Sequence, residues 1–347
     1  MKIFKRNIPL YTFNPIDEIH DLNYKGDTSD KLKNTGNVKI NPLETSLRLG
    51  NYHPGSDNKL NRIIYDAENQ SEPQLKKIIL KDDWYPDEKY KYPSKDVAAN
   101  EAYDYLGTTY TFYKKIFERN SIDNRGIKLI ASVHWGTNIG NAGWGNNQMV
   151  FGDGLFPYTN RFTSCIDVIA HEFTHGVIEY EANLKDSNQS EALNASIADV
   201  FGIMVRQYKE NQKANESDWL LGKELLGPKR NPNNDPNIAD RSMKAPGTAN
   251  EEDSQVDHMN KYTGDYYVDS GIPNKAFYLL ATKLGGYSWQ RAGKIWYETL
   301  LDKSLSQKAT FDEFASLTVR HAKTLFGKQV SDIVIDSWNQ VGIFPVQ

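Results

Sequence analysis

Residues 167–176 read DVIAHEFTHG, and the fold and chemistry of the chain are best inferred from this segment. On an α-helix His171 and His175 are one turn apart on the same face, so both imidazoles can reach a single ion. Neutral imidazole is a good ligand for zinc. Glu172 lies about 100° further round the helix, where it can take a proton from a nearby water but cannot easily bind the ion itself.

The same pattern has a plainer interpretation, in which two histidines happen to lie on an ordinary helix. HExxH is short and would occur by chance in about one in a hundred chains of this length and composition. However, the neighbours Val168, Ile169 and Phe173 are apolar, so the helix should be buried. Two buried imidazoles without partners would be costly, and this favours the metal site.

The composition of the chain excludes two classes of partner. The 347 residues are 39% hydrophobic and 25% charged, and the net charge is −4. This balance provides no global field that recruits nucleic acid or a membrane surface. With the single cysteine Cys165, no internal disulfide framework is expected. Residues 1–13 lack the apolar run of a secretory signal, so we expect a cytoplasmic protein, or one exported without a standard signal peptide.

The chain divides into an arm, a β-rich part and a helical part. Residues 1–58 are polar and broken by turn residues, which predicts an extended arm. Residues 59–164 contain one helical pattern over 96–119 and short apolar runs typical of strands at 62–65, 77–80, 127–133 and 148–151. Residues 165–347 carry helical patterns throughout. These lie over 164–181, 190–208, 274–284, 289–301, 310–326 and 330–341. The sequence therefore predicts an α+β protein, with a β-rich N-terminal domain before an α-helical C-terminal domain.

Several further segments occur in the order found in one enzyme family. They are NEAYDY at 100–105, RNSID at 119–123, NAGW at 141–144, MVFGDG at 149–154, DVFG at 199–202, RSM at 241–243, YTG at 262–264 and SGIPNKAF at 270–277. With these segments the sequence resembles the thermolysin-type neutral zinc metallopeptidases, in particular their protealysin-like branch. The resemblance implies the family's thermolysin-like fold, in which the zinc helix lies at a cleft between the two domains.

The resemblance also implies roles for individual residues. Glu172 matches the general base. Asp199 matches the carboxylate that orients the first zinc-binding histidine, and Arg241 matches the arginine that holds the substrate carbonyl. Asn141 and Ala142 match positions whose backbone pairs with the substrate.

Three positions depart from the family. The third zinc ligand should be a glutamate, but the matching residue is Ala195, and a methyl group cannot coordinate zinc. Asp186 and Tyr267 stand where the family has the tyrosine and histidine that stabilise the oxyanion. Losing such a donor costs about 10²–10³ in rate, although the Tyr267 hydroxyl could still donate. We therefore expect weak or partial zinc occupancy and slow proteolysis.

Glu191 is the candidate for a replacement third ligand. It precedes Ala195 by one helical turn and lies on roughly the same face. One turn is about 5.4 Å of rise, and side chains lean toward the helix N-terminus, so direct ligation needs a shifted helix or a displaced ion. The alternative is a surface glutamate that interacts favourably with the helix dipole.

Two other features of the family bear on this chain. The positions of the family's calcium pair carry Arg206, Leu220 and Lys223, so a calcium site of that kind is not expected. The arm at 1–58 is similar to a short protealysin-type propeptide through its segment at 8–11, although a disordered tail explains it equally.

Three functions remain open from the sequence. The first is a zinc-dependent peptide or amide hydrolase with reduced or altered activity. The second is a pseudopeptidase, without catalysis, that binds a peptide or protein partner in the cleft. The third is a different reaction on a peptide-like small molecule. The complete HExxH favours the first and third, whereas the replacements at Ala195, Asp186 and Tyr267 favour the second.

Overall fold

A computed structural model describes residues 59–72, 75–82, 94–185 and 188–346. The predicted arm and Asp186 lie outside these residues. The strands are β1 (Arg62–Asp66), β2 (Lys77–Lys81), β3 (Leu129–Val133), β4 (Ala142–Gly145), β5 (Gln148–Phe151), β6 (Leu220–Leu221) and β7 (Arg241–Ser242). The helices are α1 (Val97–Phe117), α2 (Ile166–Glu181), α3 (Asn188–Glu210), α4 (Tyr266–Asp269), α5 (Gly271–Leu284), α6 (Ala292–Leu301), α7 (Phe311–Phe326) and α8 (Lys328–Asn339).

Five of the strands form one mixed sheet in the order β2-β1-β3-β5-β4. The central strands β1, β3 and β5 run parallel, and the outer strands β2 and β4 pair antiparallel with their neighbours. In the outer pair Ala142 lies opposite Phe151, and Gly145 lies opposite Gln148. Strand β4 is therefore an edge strand of this sheet, and an edge strand presents backbone groups for pairing.

Helix α2 is the buried centre of the molecule. Every residue from Ile166 to Ile178 is buried, as the apolar neighbours of the two histidines predict. The helix packs closely on α3 because Gly202 has no side chain, and a Cβ there would lie 2.7 Å from the Asp167 carbonyl oxygen. Helix α1 is joined to α2 by a buried hydrogen bond of 2.8 Å between the hydroxyls of Tyr113 and Thr174. These contacts fix the rotation of α2 about its axis, and so the direction of its histidines.

The predicted order of a β-rich part and a helical part is confirmed. The patterns read as strands and helices coincide with β1, β2, β3, β5 and the long helices within a few residues. The second half is not wholly helical, because β6 and β7 pair as a small separate sheet. No helix among the described residues has both the length and the apolar character that a membrane span requires.

Candidate metal centre and cleft

The two histidines of α2 converge on one point. The Nε2 atoms of His171 and His175 are 2.8 Å apart, and the two rings stand at 85° to each other. Both side chains are buried, with 4% and 5% of their surface exposed. The structure therefore brings together the two nitrogens that the helical spacing predicts.

The opposite nitrogen of each ring is held by helix α3. His171 Nδ1 lies 2.9 Å from Asp199 Oδ1, and His175 Nδ1 lies 2.7 Å from Asn194 Oδ1. The Asn194 amide donates from Nδ2 to the Leu184 carbonyl, which leaves its Oδ1 to accept from His175. Both Nδ1 atoms therefore donate a proton, and both Nε2 atoms carry a lone pair.

Two lone pairs that face each other at this distance repel, and a cation that contacts both nitrogens relieves the repulsion. Burial lowers the pKa of His171, against the influence of Asp199, and so favours its neutral form. Burial and the neighbouring His171 hold the pKa of His175 well below its ordinary value. Since neutral rings provide no proton to share, the pair fits a metal ion that accepts two imidazole nitrogens, and zinc is such an ion.

Glu172 is fully buried beside this pair. Neither of its carboxyl oxygens has a hydrogen-bond partner among the described residues. Burial raises the pKa of Glu172 well above its usual value, while Arg241 acts in the opposite direction. A buried carboxyl without a partner is costly in a purely structural role, and it fits a group that exchanges a proton with a bound water or substrate.

Asp199 and Arg241 form a buried ion pair behind His171. Arg241 donates from Nη2 to Asp199 Oδ1 at 2.7 Å and from Nε to Asp199 Oδ2 at 3.2 Å. Asn274 on α5 donates to Asp199 Oδ2 at 2.9 Å. Burial acts to raise the pKa of Asp199, but Arg241 and His171 outweigh it and the pKa lies well below its usual range. Asp199 therefore remains an anion that orients His171.

Tyr267 lies beside the same arginine. The Arg241 guanidinium carbon is 5.7 Å from the centre of the Tyr267 ring. Burial and the charge of Asp240 raise the pKa of Tyr267 well above its usual value, so its hydroxyl keeps its proton. A protonated hydroxyl near Arg241 is able to donate a hydrogen bond to a bound group.

Comparison with known proteins identifies the family. The sequence profile of the thermolysin metallopeptidase catalytic domain matches residues 29–179, and that of the thermolysin metallopeptidase α-helical domain matches residues 182–343. This chain belongs to the thermolysin metallopeptidase family. Protease PrtS of Photorhabdus sp. (strain Az29) is 50% identical over 297 residues, which are 82% of this chain and 76% of that protein. An extracellular metalloprotease of Pectobacterium carotovorum is 47% identical over 294 residues, which are 82% of this chain and 81% of that protein.

A solved structure also places the chain in the protealysin-like branch. The precursor of protealysin, a metalloproteinase from Serratia proteamaculans, matches with a TM-score of 0.76 at 44% identity. The match covers 86% of this chain and 93% of that chain. The predicted thermolysin-like α+β fold is thereby confirmed, whereas the domain bounds at 58/59 and 164/165 stay a prediction.

Ala195 stands where the resemblance predicts the third zinc ligand, and the loss of that ligand stays a prediction. Ala195 follows Asn194 directly and precedes Asp199 by four residues on α3. Among the described residues, no third His, Cys, Asp or Glu donor lies within 4.8 Å of both histidine nitrogens. Glu191 is half-buried on α3 and does not join the pair in such a group, so its ligand role stays a prediction. The replacement at Asp186 falls outside the described residues.

The predicted substrate-binding residues lie at the edge strand. Asn141 directly precedes β4, and its side chain accepts a hydrogen bond of 2.9 Å from the Ala142 backbone nitrogen. Trp144 on the same strand donates to Glu179 on α2 at 2.5 Å. Strand β4 and the metal helix are thus held side by side, although the pairing of Asn141 and Ala142 with a substrate stays a prediction.

A second group of metal-type donors lies at the start of α2. Ligand atoms of Cys165, Asp167 and Glu224 are within 4.8 Å of one another. The guanidinium of Arg206 faces this group, 3.7 Å from Asp167 and 3.7 Å from Asp218. A fixed side-chain cation thus stands beside Asp167, and the expected absence of a calcium site of the family's kind stays a prediction.

Two residues of the site were not assigned a role from the sequence. Asn194 holds His175, and Asn274 holds Asp199. Asn274 lies inside the segment SGIPNKAF at 270–277 that resembles the family, and Asn194 directly precedes Ala195. Asn194 could have been predicted from the position of Asp199. Each of the two histidines needs a polar partner, and the second partner was to be sought near Asp199 on the same helix. Asn274 gave no such signal, because it reaches the site from a separate helix.

Proposed function

We propose that this chain is a zinc-dependent peptide or amide hydrolase with reduced or altered activity. The observation that supports the proposal is the convergence of two imidazole nitrogens at 2.8 Å beside a buried carboxyl, which has no hydrogen-bond partner in the described part of the chain. His171 and His175 would hold the zinc, which supplies Lewis-acid chemistry and lowers the pKa of water.

The residues around the ion have distinct roles in the proposed reaction. Glu172 accepts a proton from the attacking water and returns it to the leaving nitrogen. Asp199 keeps His171 in the tautomer that presents Nε2. Arg241 and the Tyr267 hydroxyl donate to the carbonyl oxygen as negative charge develops there. The backbone at Asn141 and Ala142 pairs with an extended peptide as an added strand of the sheet.

A pseudopeptidase is the second candidate, and the replacements at Ala195 and Tyr267 favour it. In that case the edge strand β4 and the cleft bind a peptide or a protein partner without cleaving it. The two functions differ in one observable property, because only a hydrolase depends on the proton transfer at Glu172.

The test is peptide cleavage measured with added zinc on the full chain. We expect slow cleavage that falls about 10²–10⁴-fold in Glu172→Gln and is unchanged in the exposed-loop control Glu251→Gln. Cleavage that is absent although zinc is bound would support the pseudopeptidase. Fast casein cleavage at the rate of an ordinary family member would contradict the reduced activity.

A further inference from the structure

The edge strand β4 turns the backbone groups of alternate residues outward. Ala142 lies opposite Phe151 in the pair with β5. The Gly152 backbone nitrogen donates to the Asn141 carbonyl at 2.9 Å, which is the bond expected next to a pair that exchanges none itself. The N–H and C=O of Ala142 therefore point away from β5, and by the same alternation those of Trp144 do so too. A peptide that pairs with this edge would bond to the backbone of Trp144.

The side chain of Trp144 lies against the metal helix. Its indole packs on Gly176, the residue after His175, where a Cβ would lie 3.0 Å from the ring. The indole nitrogen donates to Glu179 Oε2 at 2.5 Å. Glu179 follows His175 by four residues, so the two share a face of α2 and their Cα atoms are about 6 Å apart along its axis. Glu179 is thus one helical turn from the proposed ion.

Glu179 carries an exposed carboxylate without a cationic partner in the described part of the chain. Its side chain contacts the Trp144 indole, and no described Lys, Arg or His pairs with it. Glu181 differs, because Arg119 lies 2.8 Å and Lys303 lies 3.5 Å from its carboxylate oxygens. The indole occupies Oε2 of Glu179, so Oε1 remains available to a donor from outside the chain.

A side chain of a paired peptide would meet this carboxylate. Neighbouring strands are about 4.8 Å apart, and side chains that lie opposite each other point to the same face of the sheet. The peptide residue beside Trp144 therefore points to the face on which Trp144 contacts Glu179, and the long side chain of Lys or Arg spans this separation. We infer that Glu179 is a specificity-determining residue, which favours peptides with Lys or Arg at the position beside Trp144.

The inference rests on the proposed function, because it needs a peptide that pairs with β4 near the ion, and it specifies the class of that peptide. The separation of about 6 Å between His175 and Glu179 corresponds to about two residues of an extended peptide, at about 3.3 Å each. The basic residue should therefore lie about two residues from the cleaved bond. A Lys at the next position along the peptide points to the opposite face and should have no effect.

The experiment uses capped peptides of one neutral sequence, in which Lys, Gln or Glu replaces successive residues in turn. Their binding is measured by isothermal titration to full-chain Glu172→Gln with zinc, and their cleavage by the unchanged chain is followed by mass spectrometry of the products. At the position beside Trp144 we expect Lys to improve both Kd and kcat/KM about 2–5-fold over Gln, the range of an exposed ion pair. Glu at that position should give the weakest binding.

Three variants separate the charge of Glu179 from its contact with the indole. Glu179→Gln keeps an oxygen for the Trp144 nitrogen but removes the charge, so the ratio between the Lys and Gln peptides should fall to about one. Glu179→Lys should reverse the preference, in favour of the Glu peptide. The exposed-loop control Glu251→Gln also loses one negative charge and should keep the ratio of the unchanged chain.

The outcomes distinguish this inference from the proposed function. Equal binding and cleavage of the Lys and Gln peptides, or a Lys preference that survives in Glu179→Gln, would overturn the inference. Cleavage that depends on Glu172 would then leave the proposed function intact. A Lys preference in binding without any cleavage would support the inference together with the pseudopeptidase. Peptides that neither bind nor are cleaved would overturn both proposals.

Discussion

The direction in which His171 and His175 present their Nε2 atoms is set by the hydrogen bonds of their Nδ1 atoms. Asp199 and Asn194 fix the direction of the Nε2 lone pairs, and Asp199 is itself held by Arg241 and Asn274. Asn274 accepts a hydrogen bond of 2.7 Å from the Ser196 hydroxyl, so its amide orientation is fixed as well. Positioning therefore extends from His171 through three successive buried side chains, Asp199, Asn274 and Ser196.

At this scale we predict that Asn274→Ala weakens zinc binding by about 10–100-fold, the usual cost of losing a residue that orients a metal ligand. Without the amide donor, Asp199 Oδ2 keeps only the 3.2 Å hydrogen bond from Arg241 Nε, so Asp199 holds the tautomer of His171 less firmly. The measurement is a zinc competition titration, combined with ¹⁵N chemical shifts of His171 to report the tautomer. Ser196→Ala, which removes only the hydrogen bond to Asn274, should have a smaller effect. If Asn274→Ala lowers thermal stability but leaves zinc affinity and the tautomer unchanged, its role is structural only.

Between elements, His134 joins the start of α1 to the segment after β5. Its Nε2 lies 2.8 Å from Asp96, which caps α1 by accepting from the Ala99 backbone nitrogen. Its Nδ1 lies 2.9 Å from Asp153, which follows β5. The hydrogen bond to Asp153, supported by Asp96 and opposed by partial burial, raises the pKa of His134 to about 9.

The raised pKa predicts a pH-dependent contribution to stability. Because the folded value of about 9 exceeds the ordinary 6.5, the stabilisation is complete below pH 6.5 and disappears as pH rises through 9. We expect His134→Asn, which tolerates the same positive φ, to cost about 1 kcal/mol at the acidic end and little above pH 9. Urea unfolding across this range measures it, with Asp153→Asn as the variant that should weaken the pH dependence. A cost for His134→Asn that is the same at every pH would contradict the ionic contact.

The elements differ in how far the sequence could predict them. The long helices and β1, β2, β3 and β5 have repeated apolar residues at a helical or strand period, and these were predicted within a few residues. Strands β6 and β7 have two residues each, and they pair although they lie far apart in the sequence, with Leu220 opposite Ser242. Two residues are too few to show a repeat of apolar side chains, so the sequence did not indicate these strands. The four-residue helix α4 is equally short, and its start depends on Asp265, which accepts from the Tyr267 and Val268 backbone nitrogens.

Across the whole molecule, the site combines a local pattern with distant contacts. The convergence of His171 and His175 was predictable because both lie on one turn of one helix. The burial of Glu172 followed from its apolar neighbours. The contacts of Arg241 and Asn274 with Asp199 span 42 and 75 residues, and only the folded chain brings them together. The resemblance predicts the roles of Asp199 and Arg241, but it does not indicate what would take the place of the glutamate that it predicts at position 195.

The central claim is that the two imidazoles bind one cation in the cleft between the β-rich and helical parts. Its most direct test is an anomalous difference map, recorded at the zinc absorption edge, from crystals of the full chain grown with zinc. The account predicts one peak at about 2.0–2.1 Å from the Nε2 atoms of both His171 and His175, with Nδ1 still bonded to Asp199 and Asn194. Rings that turn away from each other, or that bond only to neighbouring side chains with no peak between them, would contradict it.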